Sequence, residues 1–146
     1  MSTGLPVFDT TIQETNEWLA AIEARLRPCN RQQAYAALRA VLHVLRDRLP
    51  IDAVLGLSAQ LPLLMRGLLL EGWRPSAGPT NIRDTDQFAA AVGALLPPSF
   101  PREPSAALEV VIAVLCERVN EGEARKLIQH IPTPLRTFWP AHMRAN

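Results

Sequence analysis

An internal repeat is the feature that most constrains the fold of this chain. Shifting the 146-residue sequence against itself by 70 positions, without a gap, aligns 16 identical residues over the 55 positions 15–69. The identities include Pro62 with Pro132 and Arg66 with Arg136 in the same register. Self-similarity at a fixed period is typical of a duplicated structural unit. We therefore predict two tandem repeats, each spanning about 70 residues.

Each repeat has the pattern of about four helices. Leu38, Val41, Leu42 and Leu45 follow the spacing of one helical face, and the equivalent segment is apolar nearly all round over residues 110–115, which predicts a central buried helix. Arg39, Arg46 and Asp47 fall off that face. The predicted helices cover 10–26, a longer one from residue 30, 52–60 and 62–71 in the first repeat, and 84–96, 103–120, 121–130 and 132–139 in the second.

Caps and prolines mark the helix ends and the domain boundaries. Asn30 and Gln33 have the spacing of a capping box, while Pro62 and Pro132 suit the first turn of a helix. We predict an N-terminal tail (1–9), the first repeat (10–71), a Pro/Gly-rich linker (72–83), the second repeat (84–140) and a C-terminal tail (141–146). Since a core of this size is marginal alone, we expect one shared core and a pseudo-twofold helical bundle.

Composition supports an all-α protein and excludes some functions. Hydrophobic residues make up 48% of the chain and aromatic residues only 5%, so alanine and leucine fill the core. The formal net charge of +1 makes nucleic-acid binding unlikely. The longest charge-free apolar stretch, 53–65, contains Pro62 and is too short to cross a membrane. Cys29 and Cys116 lie far apart and the start of the chain lacks an export signal, so we expect a cytoplasmic protein.

No arrangement of reactive residues predicts an enzyme. His43, His130 and His142 lack the spacing of a metal site, and neither a nucleophile elbow nor a glycine-rich phosphate loop occurs. His43 is interpreted as a packed or partly exposed helix residue. Cys29, just ahead of a helix, has two alternatives: a thiol of lowered pKa or an unreactive residue, and the second is favoured. We predict no catalytic residue, cofactor or metal.

Two sets of residues are candidates for binding. Arg48, Arg118, Arg66 and Arg136 occur as pairs across the repeat, either as a symmetric anion site or as ligands of helix carbonyls and acids, and the structural alternative is favoured. In the linker, Trp73, Arg74 and Pro75 form either an interaction hot spot or a plug over the core, with the plug favoured.

Three segments resemble a bacterial family, domain-of-unknown-function family 2267. They are AYAALRAVLHVLRDRLP (34–50), AQLPLLMRG (59–67) and EGWRP (71–75), and the resemblance covers about residues 8–139. In that family two aromatic residues commonly precede the acidic-Gly-Trp-Arg-Pro segment, whereas this chain has Leu69 and Leu70, so a surface formed by those aromatics is altered here. The resemblance implies a small helical cytoplasmic protein and carries no established activity.

These observations lead to competing functional hypotheses. The leading one is a non-enzymatic helical interaction module, stress-related or regulatory, with a protein partner or a second copy of itself. The alternative is small-ligand or anion binding between the two repeats, lined by the paired arginines. Nucleic-acid binding through an arginine face ranks third, and an uncharacterised hydrolase or transferase ranks last.

Overall fold

All regular secondary structure in residues 2–144, the part that the computed structural model describes, is helical. The α-helices are α1 (Pro6–Arg25), α2 (Arg31–Arg48), α3 (Ile51–Gln60), α4 (Leu63–Leu70), α5 (Thr85–Leu95), α6 (Pro104–Arg118), α7 (Glu121–Gln129) and α8 (Ala141–Arg144). Short 3₁₀ helices span Pro75–Ala77 and Thr133–Phe138. The predicted all-α class is confirmed.

The start of α2 has the capping box that the sequence predicts. The side chain of Asn30 accepts a hydrogen bond from the Gln33 backbone N–H at 2.8 Å, and Gln33 Oε1 accepts one from the Asn30 N–H at 2.9 Å. Two N–H groups that the helix leaves unpaired are thereby satisfied. The helix ends before Leu49, which is extended because Pro50 disfavours the α conformation of the residue before it.

Both chain ends are helical where the sequence analysis predicted tails. Helix α1 begins at Pro6, four residues before the predicted start at position 10, because proline suits the first helical position and Asp9 favours the first turn. The Asp9 carboxylate also accepts hydrogen bonds from the N–H and hydroxyl of Thr3, at 2.7 and 2.8 Å. At the other end, Met143 of α8 is buried. Residues 1, 145 and 146 of the predicted tails lie outside the described residues.

The fourth element of the second half differs from the prediction. Helix α4 is an α-helix with five leucines and one methionine among its eight residues, whereas its counterpart over Thr133–Phe138 is a 3₁₀ helix. Pro140 disfavours the α conformation of the preceding Trp139, which is extended, and Phe138 has a lower helix propensity than its counterpart Leu68. A longer α-helix is therefore not sustained in this segment.

Helix α2 lies at the centre of the core and contacts both halves of the chain. It packs against α1 and α4 of the first half and against α5 and α6 of the second. Helix α6 contacts α1, α2, α5 and α7, and four of its residues over 110–115 are fully buried, as predicted for a central helix. The long helices thus place the two halves around one continuous core.

Element ends in the two halves fall at the predicted offset. Helices α1 and α2 end at residues 25 and 48, and α5 and α6 end at 95 and 118. Two ion pairs also join α1 to the end of α6: Arg25 binds Glu117 through two contacts of 2.6 and 2.7 Å, and Arg118 lies 3.5 Å from Glu17. The tandem duplication itself stays a prediction from the sequence.

A threonine of α1 caps α4. Thr11 Oγ1 accepts a hydrogen bond from the backbone N–H of Leu64 at 2.8 Å, at a helix start where Pro62 provides no side-chain cap. Thr15, one turn further along α1, is similarly buried, but its hydroxyl has no hydrogen-bond partner among residues 2–144. The two threonines therefore form a matched pair that differs in one hydrogen bond.

We expect Thr11→Val to lower the free energy of unfolding by about 1 kcal/mol, because α4 loses its cap. The same substitution at Thr15 should leave that free energy unchanged or raise it, because it removes a buried hydroxyl without breaking a hydrogen bond. Urea unfolding followed by circular dichroism measures both. Equal losses at the two positions would contradict the capping role of Thr11.

Candidate functional site

An exposed apolar surface lies where the start of α1 meets the start of α4. Leu5, Phe8 and Ile12 are spaced three and four residues apart and so share one side of the start of α1. The hydrogen bond between Thr11 and the Leu64 N–H brings the first turn of α4 beside them. The side chains of this N-terminal apolar surface are between 40% and 51% exposed: Leu5, Phe8, Ile12, Leu63 and Leu64.

The sequence analysis missed this surface because it assigned residues 1–9 to a tail. Pro6 and Asp9 together are a helix-start signal, and reading them as one would have moved the start of α1 forward. Phe8 and Ile12 would then have appeared on the face that continues through the buried Thr15 and Leu19. The first turns of α1 carry that face beyond the region that other helices cover.

The linker packs against the end of α2. Trp73 is half-buried and contacts the core, while Arg74 and Pro75 are exposed. The backbone N–H of Thr80 donates to the Asp47 carbonyl at 2.8 Å, and a cavity of about 180 Å³ lies between the linker and the end of α2. Trp73 thus has the packing contact that the plug alternative requires. An interaction role for Trp73, Arg74 and Pro75 stays a prediction.

Two of the paired arginines have the same structural contact in both halves. Arg66 Nε donates to the Leu61 carbonyl at 3.0 Å, and Arg136 Nε donates to the Ile131 carbonyl at 2.9 Å. Each carbonyl lies five residues before its arginine, just ahead of the proline that starts the fourth element. This arrangement fits the structural alternative, in which guanidinium groups satisfy backbone carbonyls.

The other pair, Arg48 and Arg118, has different contacts in the two halves. Arg48 Nε donates to the Ile82 carbonyl at 2.7 Å and ties the linker to α2, whereas Arg118 lies 3.5 Å from the Glu17 carboxylate on α1. The four arginines therefore bind four separate partners. None of these contacts brings them together around one anion.

A buried polar cluster that the sequence analysis did not predict joins α2 to the end of α4. Arg46, placed by the pattern off the apolar face, is only 5% exposed. Its Nη1 donates to the carbonyls of Leu69 at 2.9 Å and Glu71 at 2.7 Å, and its Nε lies 2.8 Å from Asp47 Oδ1. The cation thereby satisfies carbonyls at and just beyond the C-terminal end of α4, where the helix dipole favours positive charge.

His43 completes this cluster and is buried, in keeping with the interpretation of a packed helix residue. Its Nε2 lies 2.7 Å from the Leu68 carbonyl and donates the hydrogen bond there. Burial lowers the pKa of His43 below its usual value of 6.5, the hydrogen bond to Leu68 opposes this, and the charges of Arg46 and Arg39 lower the pKa further while Glu71 raises it. The folded protein therefore favours neutral His43.

The lowered pKa of His43 predicts that the folded protein loses stability in mild acid. The unfolded chain takes up a proton as the pH falls through 6.5, while the folded chain resists it until a lower pH. We expect the melting temperature to fall between neutral pH and the onset of carboxylate protonation. His43→Gln should flatten that dependence, and the exposed His130→Gln should retain it. An unchanged slope in His43→Gln would contradict the assignment.

The cysteines lack the features of reactive thiols. Cys29 is buried, and burial raises its pKa, which is the opposite of the lowered pKa considered as one alternative. Burial and the neighbouring Glu117 charge raise the pKa of Cys116 to about 11. Both residues therefore favour the neutral thiol, which is a poor nucleophile.

Metal binding and membrane insertion each require a structural feature that can be recognised in the fold. Within residues 2–144, no group of three or more His, Cys, Asp or Glu side chains is placed to hold a metal ion. None of the helices in that same part of the chain has the length and apolar character needed to cross a bilayer.

Comparison with protein-family models places most of the chain in a known family. The sequence model of a family described as "Uncharacterized conserved protein (DUF2267)" matches residues 15–138, which is most of the chain. A comparison with curated proteins finds no match.

Proposed function

The chain belongs to the DUF2267 family of uncharacterized conserved proteins, and we propose that it is a non-enzymatic protein-interaction module that docks its partner on the N-terminal apolar surface. The observation that supports this proposal is the exposure of Leu5, Phe8, Ile12, Leu63 and Leu64 on two helix starts that the Thr11–Leu64 hydrogen bond joins. Contiguous exposed apolar patches on a folded domain mark interaction sites, whereas scattered apolar residues do not.

The shape of the surface favours a helical or extended segment as the docked element. Two helix starts, α1 and α4, meet at Thr11 and present apolar side chains on either side of it. An amphipathic segment that inserts between such rows buries its own apolar face. The partner is either another protein or a second copy of this chain, and the experiment below separates the two.

The test removes apolar area from the surface without touching the core. Phe8→Ser with Leu64→Ser should abolish the binding of partners retained from a host lysate, because both side chains are about half exposed and contribute contact area. The matched control is Leu55→Ser with Leu95→Ser, two leucines of similar exposure elsewhere. Each retained protein is then identified and its binding to the purified chain measured.

Analytical ultracentrifugation of the purified protein tests whether the partner is a second copy of this chain. If the partner is a second copy, the wild type and the Leu55/Leu95 control should dimerise with the same dissociation constant while the Phe8/Leu64 variant remains monomeric. The proposal fails if the Phe8/Leu64 variant keeps every partner and the same oligomeric state as the wild type.

We also infer a bacterial, cytoplasmic protein, with a stress-related or regulatory role to be decided by the identity of the partner. The two cysteines, Cys29 and Cys116, are both free thiols in the fold, which suits a reducing compartment.

A further inference from the structure

A cleft between α3 and α7 separates the two halves of the chain on one side of the molecule. The helices contact each other and enclose a space of about 160 Å³. Its apolar lining consists of Ala53, Gly56, Leu57, Val119, Ala124 and Leu127. Its polar lining consists of Asp52, Gln60, Glu123, Lys126 and His130. The cleft lies between the halves, and none of the paired arginines named in the ligand-binding alternative lines it.

The two walls of the cleft differ at equivalent positions of the predicted repeat. Leu57 and Leu127 are identical across the 70-residue offset, which fits a shared role in packing. By contrast, three neutral lining residues of α3, Ala53, Gly56 and Gln60, correspond to Glu123, Lys126 and His130 of α7, while Asp52 of α3 corresponds to Gly122. Residues that maintain the fold of both units need no such difference. The charged wall is therefore a candidate for a specific function.

A carboxylate of α7 points across the cleft. Glu123 Oε2 lies 3.8 Å from the position that a Cβ on Gly56 would occupy, so this oxygen faces α3 over the one residue with no side chain. The other oxygen, Oε1, lies 3.4 Å from Lys126 Nζ, and the lysine side chain is 75% exposed at the mouth of the cleft. Asp52 lines the opposite wall. The lining thus carries two carboxylates, Asp52 and Glu123, and one ammonium group, Lys126.

We propose that this cleft binds a small organic ammonium ion whose hydrocarbon body is about the size of a six-membered ring. The ammonium group would hydrogen-bond to Glu123 Oε2, and Asp52 would add a second negative charge. The volume matches the roughly 150 Å³ at which an engineered apolar cavity binds benzene. Leu57, Val119 and Leu127 supply the apolar contact. The proposal is independent of the N-terminal apolar surface, which lies on α1 and α4.

Benzylammonium is the probe, with benzyl alcohol and benzoate as its neutral and anionic analogues. In amide-resolved NMR titrations we expect benzylammonium to shift the signals of Gly56 and Leu127, with an affinity about tenfold above that of benzyl alcohol, because a charge-assisted hydrogen bond is lost in the alcohol. Benzoate should bind most weakly. Equal affinities of the three, tighter binding of benzoate, shifts elsewhere in the molecule, or no shift at millimolar probe would overturn the proposal.

Two variants with matched controls locate the site. Gly56→Leu fills the cleft and should abolish binding, while Gly67→Leu, at a helical glycine with open space around it, should not. Glu123→Gln keeps the shape and should remove the preference for benzylammonium over benzyl alcohol, while the exposed Glu121→Gln should retain it. Retained binding in Gly56→Leu, or a retained preference in Glu123→Gln, would refute the site.

Discussion

Replacing Arg46 with methionine is expected to lower the free energy of unfolding by about 2–3 kcal/mol. Methionine matches much of the apolar stem but makes none of the hydrogen bonds. The Leu69 carbonyl loses the donor of a buried hydrogen bond, the Glu71 carbonyl loses that of a partly buried one, and Asp47 loses its cation. Unpaired buried groups of this kind carry a full desolvation cost.

The matched control is Arg39→Met, on the same helix. Arg39 also reaches Glu71, but through an exposed ion pair with its carboxylate, at 3.1 Å. Exposed pairs contribute at most about 1 kcal/mol, so this variant should remain close to the wild type. Urea unfolding of both proteins, with the midpoint and slope fitted separately, gives the comparison. A loss at Arg46 no larger than that at Arg39 would show that the carbonyls of α4 find other donors.

Trp139→Ala is expected to cost about 3–5 kcal/mol, because the indole is one of the largest fully buried side chains. Trp139→Phe should lower the free energy of unfolding by only about 1 kcal/mol. The indole Nε1–H has no hydrogen-bond acceptor among the described residues, so phenylalanine removes a buried donor that is unpaired in the native structure.

Calorimetric or urea unfolding of the two Trp139 variants separates packing from hydrogen bonding. If the indole N–H were hydrogen-bonded in solution, Trp139→Phe would lose that bond as well as volume, and its cost would rise by a further ~1 kcal/mol or more. Leu69→Ala, at the equivalent position of the predicted repeat and fully buried, serves as the reference for a large core deletion.

Local signals made much of the fold predictable. The capping box of Asn30 and Gln33 depends on residues three apart, and Pro62 and Pro132 act on the turn that follows them, so their effects follow from sequence alone. The predicted start of α1 lies four residues beyond the observed start at Pro6, because Leu5 provides no side-chain cap. Its other signals, Pro6 and the hydrogen bonds from Thr3 to Asp9, are weaker in sequence than a capping box.

Long-range contacts account for what the sequence analysis missed. Periodicity places Arg46 off the apolar face of α2, and it does not indicate that carbonyls 23 and 25 residues away lie within reach. The N-terminal apolar surface depends in the same way on Thr11 meeting Leu64 across 53 residues. The repeat alignment shows that Glu123 and Lys126 differ from their equivalents in the first repeat. It does not show that they line a cleft, because the cleft forms only where α3 packs against α7.

Helix α2 belongs to the first half by sequence and to both halves by contact. If the chain arose by duplication, as predicted, its ancestor had a single unit. That ancestor would have needed a second copy of itself to cover the side of α2 that now packs against α5 and α6. Its folding would then have depended on protein concentration. Joining two units through residues 72–83 replaces that association with an intramolecular one, at an effective concentration on the order of millimolar. If the duplication is correct, the linker lets one chain supply both units of the shared core.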